Sequence, residues 1–198
     1  MGDNKGMIQA IETHYNGYRF RSRLEARWAV FLDAMNEPYS YEVEGISGEG
    51  LSYLPDFWLN RWGCFLEVKG YLDIQSGRKF AMLINQTQTP HLIVKEVGDL
   101  MYLIGPDGPR PKKWGECPLC GGLSIIDYCD CEGCGNDVFR YLDCAVCSND
   151  KRIKVKKSAG DPSTSSKILI AISAARSARF EHGETPRVPR GKPRKSGG

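Results

Sequence analysis

Two acidic residues and one lysine within residues 54–70, LPDFWLNRWGCFLEVKG, have the types and spacing of a catalytic metal site. Apolar and polar residues alternate on both sides of the turn sequence NRWG, which is typical of a β-hairpin. If the hairpin turns at the centre of that sequence, paired positions sum to 123 and Asp56 lies opposite Glu67. Lys69 points to the same face as Glu67, because alternate strand residues share a face. We therefore expect Asp56, Glu67 and Lys69 to converge.

Facing carboxylates repel each other unless a cation or a proton lies between them. Mg²⁺ (or Mn²⁺) prefers oxygen ligands and also accepts water and phosphate oxygens, so Asp56 and Glu67 could hold it, with the backbone carbonyl of Val68 as a further ligand. Lys69 could then orient a water or stabilise charge on a phosphodiester. The alternative is an amphipathic hairpin whose polar face is only solvated.

The order Pro55-Asp56, ten intervening residues and then Glu67-Val68-Lys69 resembles the motif of the PD-(D/E)XK nuclease superfamily. Four segments, RSRLEARWAVFLDAM, LPDFWL, EVKG and AARSARFEHGE, are also similar to phage and bacterial proteins with a C-terminal zinc ribbon. The resemblance implies a restriction-endonuclease-like mixed sheet flanked by helices. It further implies a Mg²⁺-dependent DNA endonuclease, encoded by a phage or mobile element, that cuts as a possible homodimer.

Glu25 matches a helix carboxylate that members of that superfamily often use as an extra ligand. Ser22-x-x-Glu25 is equally a capping box, in which Glu25 bonds back to the backbone at the helix start. Other residues could contact phosphates or lie near the site, although a polar surface role is the simpler interpretation of each: Arg19, Arg21, Arg23, Arg27, Lys79, Gln86 and Gln88.

Seven of the eight cysteines lie between Cys117 and Cys147, mostly as C-x-x-C pairs, which predicts a structural zinc site. Tetrahedral coordination needs two such pairs, and Cys117 with Cys120 forms the first in both arrangements. We slightly favour Cys144 and Cys147 as the second pair. Cys131 and Cys134 are the alternative.

Changes in composition divide the chain into five segments. Residues 1–105 read as an α+β or α/β nuclease-like domain, and 106–113, PDGPRPKK, as a linker. Residues 114–157 form the zinc-ribbon module, and 158–184 a loop with a C-terminal helix. Residues 185–198 form a basic, disordered tail with five Lys or Arg and no acid, so the remaining chain has a formal charge of −2 out of the total +3.

No long apolar segment and no secretory signal is present, so we expect a cytoplasmic protein without membrane contact. The basic tail favours DNA as the partner. The alternative function is a catalytically inactive nuclease-fold module that binds DNA or protein, and an RNA-directed nuclease is a third possibility.

Overall fold

The computed structural model describes residues 10–48, 51–70, 74–105, 108–117, 120–127, 142–144, 152–153 and 162–180. A nine-stranded mixed sheet is the central element of this part of the chain, and three α-helices accompany it. The helices are α1 (Arg23–Ala34), α2 (Ile74–Thr87) and α3 (Ser166–Ser177), with a short 3₁₀ helix at Pro162–Thr164. The expected mixed α and β class is therefore confirmed.

The strands lie in nearly sequential order across the sheet. Their bounds are β1 Thr13–Tyr15, β2 Tyr18–Phe20, β3 Tyr39–Tyr41, β4 Ile46–Gly48, β5 Leu51–Tyr53, β6 Phe57–Leu59, β7 Cys64–Val68, β8 His91–Val94, β9 Met101–Gly105, β10 Gly108–Glu116, β11 Leu123–Asp127, β12 Leu142–Cys144 and β13 Arg152–Ile153. The large sheet runs β13-β12-β11-β10-β9-β8-β7-β6-β3, and β1-β2 and β4-β5 form separate hairpins. β7 and β8 pair in parallel, and α2 lies between them in the chain, whereas every other pair in the described sheets is antiparallel.

The β6–β7 hairpin has the register predicted from the sequence. Phe57 pairs with Leu66 and Leu59 with Cys64, so the paired numbers sum to 123. Gly63 in the turn has φ of +57°, a conformation that glycine adopts without strain. Residues 54–56 separate β5 from β6, so Asp56 lies directly before β6 and not within it.

Helix α1 packs its apolar side against the sheet, as its periodicity predicts. Ser22 is the N-cap, and its side chain accepts a hydrogen bond from the backbone N–H of Glu25. Trp28 and Phe31 are fully buried. The indole N–H of Trp28 donates to the backbone oxygen of Lys95 at 2.7 Å, which fixes the helix to the end of β8.

The segment expected to be a linker is largely strand, because residues 108–113 belong to β10. Pro109 and Pro111 pair with β9, but pairing with β11 begins only at Lys112. Among the described residues, the prolines therefore have a strand partner on one side, and a missing N–H is tolerated where no partner strand needs it. β10 joins the expected ribbon strands to the strands of residues 1–105 in one continuous sheet.

The same hydrophobic core also runs across the expected domain boundary. The ring centroid of Trp114 in β10 lies 6.4 Å from that of Trp28 and 6.2 Å from that of Phe31. α3 packs on α1 through the buried Ala171 and Ala175, small residues that allow close approach. No helix of the described residues is long and apolar enough to cross a membrane.

Candidate active site

Asp56 and Glu67 form a buried carboxylate pair where the β6–β7 ladder ends. Asp56 directly precedes β6 and is not paired with β7 in the ladder. Its side chain makes the contact instead, because Oδ2 accepts the backbone N–H of Val68 at 2.8 Å. In return, the backbone N–H of Asp56 donates to Oε2 of Glu67 at 3.3 Å. The two residues are only 3% and 2% exposed. Asp56 and Glu67 therefore lie next to each other, as the hairpin register predicts.

Two cations face the carboxylate pair. Nη2 of Arg21 lies 2.6 Å from Oδ1 of Asp56, and its Nε lies 2.6 Å from a carboxylate oxygen of Glu42. Nζ of Lys69 forms an ion pair with Oε1 of Glu67. The ammonium also lies 5.8 Å from the centre of the Tyr53 ring, a favourable cation–π distance. Asp56, Glu67 and Lys69 thus share one site, as the hairpin pattern predicts.

Of the two roles that the sequence left open for Glu25, the hydrogen bonds show the one at the start of the helix. Its Oε1 accepts from the hydroxyl of Ser22 at 2.7 Å, and its Oε2 accepts from the backbone N–H of Arg21 at 3.1 Å. The Tyr41 hydroxyl donates to Oε2 at 2.5 Å. The carboxylate therefore caps α1, although through Arg21 rather than the backbone of Ser22. It is also near enough to Asp56 for its charge to affect that residue.

Burial, followed by the negative charges of Glu67 and Glu25, raises the pKa of Asp56 from 3.8 to about 8. The Val68 N–H and the Arg21 guanidinium oppose that rise without cancelling it. Burial, followed by the charge of Glu67, also raises the pKa of Tyr53. The site therefore has an excess of negative charge that a further cation would relieve.

The donor set fits a magnesium ion better than a metal that needs many protein ligands. Among the described residues, no three His, Cys, Asp or Glu side chains form a metal-binding group. Mg²⁺ commonly uses one or two carboxylates and completes its shell with water and phosphate oxygens. Asp56 and Glu67 can supply those carboxylates.

The backbone carbonyl of Val68 is a geometrically reasonable third ligand. The N–H of Lys69 donates to Val94 in β8 at 2.8 Å, so the Val68 carbonyl, in the same trans peptide unit, points away from β8. The N–H of Val68 points toward Asp56, and the N–H and C=O of one strand residue face the same neighbour. The carbonyl is thus directed to the Asp56 side of β7.

An open cavity of about 500 Å³ lies against these residues. Its lining includes the cations Arg21, Lys69 and Lys79, together with Tyr53 and Glu67. Three cations and one carboxylate in an open cavity suit an anionic ligand that approaches a metal from the solvent side.

The other residues suggested by the sequence separate into those that reach this site and those that do not. Arg21 and Lys79 line the cavity. Arg19 pairs with exposed Glu12. The Gln88 side chain bonds to Asn85. Sequence reasoning overlooked Tyr41, Tyr53 and Glu42, because no local pattern marks residues that meet the hairpin only through tertiary packing.

The first cysteine pair forms a tight turn between β10 and β11. The N–H of Cys117 donates to Gly122, and the N–H of Gly121 donates back to Cys117. Gly121 has φ of +65°, and the N–H of Gly122 donates to Sγ of Cys120 at 3.3 Å. A backbone N–H directed at a cysteine sulfur is the arrangement that stabilises a thiolate.

The second pair is only partly within the described residues. Ser124 pairs with Cys144, and Leu123 with Glu116, so the backbone of Cys144 lies at the end of the strands where the Cys117–Cys120 turn is. Cys131, Cys134 and Cys147 lie outside the described residues, as do the basic tail at 185–198 and residues 158–161 at the start of the expected loop.

Comparison of this chain with family models, curated proteins and solved structures gives no match. The site is therefore interpreted from its own geometry, and the resemblance to PD-(D/E)XK nucleases stays a prediction.

Proposed function

We propose that this protein is a metal-dependent DNA nuclease that hydrolyses phosphodiester bonds, with a restriction-endonuclease-like core. The observation that carries the proposal is the buried pair Asp56 and Glu67, with Lys69 beside it, at the wall of an open cationic cavity. Burying two carboxylates side by side lowers the stability of the fold unless cations compensate for their charges. This cost favours a functional role for the two carboxylates.

Asp56, Glu67 and the carbonyl of Val68 would hold the Mg²⁺ (or Mn²⁺). When bound, such an ion lowers the pKa of a coordinated water and neutralises charge on a phosphoryl oxygen. Glu25 fits an indirect position: its oxygens are already held by Ser22, Arg21 and Tyr41, so it would influence Asp56 electrostatically.

The cations of the cavity have distinct proposed tasks. Lys69 lies beside Glu67 and can hold an attacking water or stabilise negative charge on the phosphorane. Arg21 can bind a non-bridging phosphate oxygen, because its guanidinium is half-exposed while it contacts Asp56. Lys79, also on the cavity wall, can bind the neighbouring phosphate of the same strand.

A non-catalytic binding module is the alternative, and one observation favours it. Arg21 and Lys69 already pair with Asp56 and Glu67, so much of the buried charge is compensated by protein groups alone. In that case the hairpin would be a structural ion-pair network, and the cationic cavity would bind DNA or an acidic protein surface without cutting it.

A cleavage assay distinguishes these functions. We expect the purified chain to cut DNA with Mg²⁺ or Mn²⁺ and not with EDTA, on a panel of duplex, single-stranded, branched and RNA substrates. Asp56→Asn and Lys69→Met should each lower the rate at least 100-fold, because they remove a metal ligand and a charge next to the reacting phosphate. Glu96→Gln and Lys95→Met are matched controls on exposed side chains.

The controls should cut at the wild-type rate. Full activity of Asp56→Asn would contradict the site, and binding without cutting under every divalent metal would favour the non-catalytic module. If only RNA is cut, the proposed phosphodiester hydrolysis would stand, with RNA and not DNA as the substrate. Sedimentation of the chain with and without duplex DNA tests the predicted homodimer.

We also propose a structural zinc ion bound by Cys117, Cys120, Cys144 and Cys147. The turn at the first pair directs a backbone N–H toward Sγ of Cys120. The strand register brings the backbone of Cys144 to the same end of the ribbon. These two observations favour this quartet over the alternative with Cys131 and Cys134.

Metal analysis of the purified chain and its variants tests the zinc proposal. We expect one zinc per chain, lost in Cys144→Ser and retained in Cys131→Ser, because only the first removes a ligand of the favoured quartet. Retention of zinc by Cys144→Ser together with loss in Cys131→Ser would select the alternative quartet.

A further inference from the structure

A second basic cavity lies at the junction of α1 and α3, outside the carboxylate site. It has a volume of about 360 Å³, and four of its seven lining residues are arginines: Arg23, Arg27, Arg176 and Arg179. The others are Ser177, Ala178 and Phe180, so no acidic side chain of the described residues lines it. The helices supply two arginines near the start of α1 and two at the end of α3.

Not all four guanidiniums are equally available to a ligand. Arg176 has a structural role, because its Nε donates to the backbone oxygen of Val97 at 2.6 Å and its Nη2 lies 3.3 Å from Asp99. Arg27 is different: its Nε is buried and has no hydrogen-bond partner among the described residues. A buried donor without a partner is costly, which indicates a missing acceptor at this place.

The shape and chemistry of the cavity favour a phosphate group. Guanidinium groups bind phosphate oxygens through paired N–H donors. The start of α1 adds the positive end of a helix dipole near Arg23. The carbonyl ends of α3 act in the opposite direction, but Arg176 and Arg179 in and after its last turn compensate for them.

The position of the cavity connects it to the carboxylate site. Arg21 contacts Asp56, and Arg23 lies two residues further along the chain, so their Cα atoms are at most about 7 Å apart. Basic side chains therefore continue from the carboxylates around the start of α1 to α3. A single phosphate-rich strand could contact both places, whereas a small free anion would need only one.

We propose that this arginine cavity binds a backbone phosphate of the nucleic-acid substrate, away from the bond that is cut. The inference rests on the proposed nuclease function and adds α3 to its substrate-binding surface. The cavity thereby positions the strand, and the carboxylates carry out hydrolysis.

Equilibrium binding of a fluorescent DNA duplex with Ca²⁺ in place of Mg²⁺, over a series of salt concentrations, tests the proposal without cleavage. We expect Arg27→Gln/Arg179→Gln to weaken binding about tenfold or more at moderate salt and to reduce the salt slope by about one, as loss of one phosphate contact should. Arg19→Gln is the matched control, because Glu12 already neutralises its charge.

In single-turnover cleavage the same double variant should need more enzyme for half-saturation, while the maximal rate changes by less than about threefold, because strand positioning is lost but the chemistry is retained. Arg179→Gln alone, on an exposed side chain, provides a second variant if a thermal melt shows that the double variant is not folded at the assay temperature. An unchanged salt slope and affinity in a folded variant would overturn the proposal. So would an absence of DNA binding by the wild-type chain at low salt.

Titration with inorganic phosphate alone separates a nucleic-acid contact from a free-anion site. Phosphate binding that Arg27→Gln abolishes, with DNA binding unaffected, would overturn the assignment to nucleic acid. Failure of the nuclease function has a different signature: the wild-type chain would bind DNA without cutting it under any divalent metal, while the loss of salt slope in the arginine variants would stand.

Discussion

At the scale of single residues, Asp56 links the local structure to the proposed chemistry. Its side chain replaces a missing ladder bond to Val68 and at the same time contacts Arg21 and lies beside Glu67. A residue that only completed the ladder could be asparagine. The carboxylate instead adds negative charge to a buried place, where its ionisation is unfavourable without a cation.

Asp56→Asn should therefore keep or raise the stability of the metal-free protein and abolish Mg²⁺ binding. In EDTA we expect its unfolding free energy to equal or exceed that of the wild type at pH 8, because it removes a buried charge near Glu67 and Glu25. Saturating Mg²⁺, at about ten times its Kd, should stabilise the wild type by about 1.4 kcal/mol and the variant not at all. Denaturant titrations with and without metal measure both effects.

The pH dependence of the metal-free wild type follows from the same residue. Folding raises the pKa of Asp56 from 3.8 to about 8, so the folded state retains a proton that the unfolded chain loses. The contribution of protonated Asp56 to the free energy of unfolding is fully present below about pH 4 and is lost as the pH rises toward 8. Asp56→Asn should remove this part of the pH dependence. A large loss of stability in the variant at pH 8 would show that the pair with Arg21 is structural.

At the scale of elements, the start of α1 holds one side of the site. Ser22 caps the helix and bonds to Glu25, whose carboxylate also receives hydrogen bonds from Tyr41 and the Arg21 backbone. The helix cap is thus the support for both Glu25 and the backbone that carries Arg21.

Ser22→Ala should lower the unfolding free energy by about 1 kcal/mol, the usual effect of losing an N-cap side chain. We also expect slower DNA cleavage, because Glu25 and Arg21 lose a fixed position. Ser165→Ala removes the corresponding cap of α3, where the Ser165 side chain accepts from Ile168, and should cost similar stability without the same loss of rate. Equal cleavage rates for the two variants would show that the Ser22 cap does not support catalysis.

The sequence predicts those elements whose signals are local. The apolar stripe of α1 and the turn between Leu59 and Cys64 predict the helix and the hairpin register, and the register brings Asp56 and Glu67 together. The prolines at 109 and 111 indicate a linker, because the local pattern does not show that this stretch pairs with β9. Tyr41 and Tyr53 have no local signal, since they reach the site through packing between distant segments.

At the scale of the whole molecule, the strands before residue 105 and those after it share one sheet and one core. Trp114, Leu123 and the buried face of α3 belong to the same hydrophobic cluster as Trp28 and Phe31. A boundary at residue 105 would cut this cluster and leave β9 as an unprotected edge.

A truncated chain of residues 1–105 should therefore fail to fold as a stable monomer. Loss of the apolar cover of α1 exposes large aromatic side chains, and an open β9 edge promotes aggregation. Circular dichroism melts and size-exclusion chromatography, with the full chain as reference, measure the effect. A cooperative melt close to that of the full chain would instead support two independent domains.

The packing of α3 on α1 also determines when the protein can become functional during its synthesis. The strands from β6 onward can pair with their neighbours as they leave the ribosome, since each lies next to one made shortly before it. The arginine cavity, in contrast, needs residues from both the first and the last described helix. A nascent chain that stops before residue 166 would therefore contain every proposed catalytic residue but only half of this cavity, and we expect such a fragment to hold DNA weakly until translation ends.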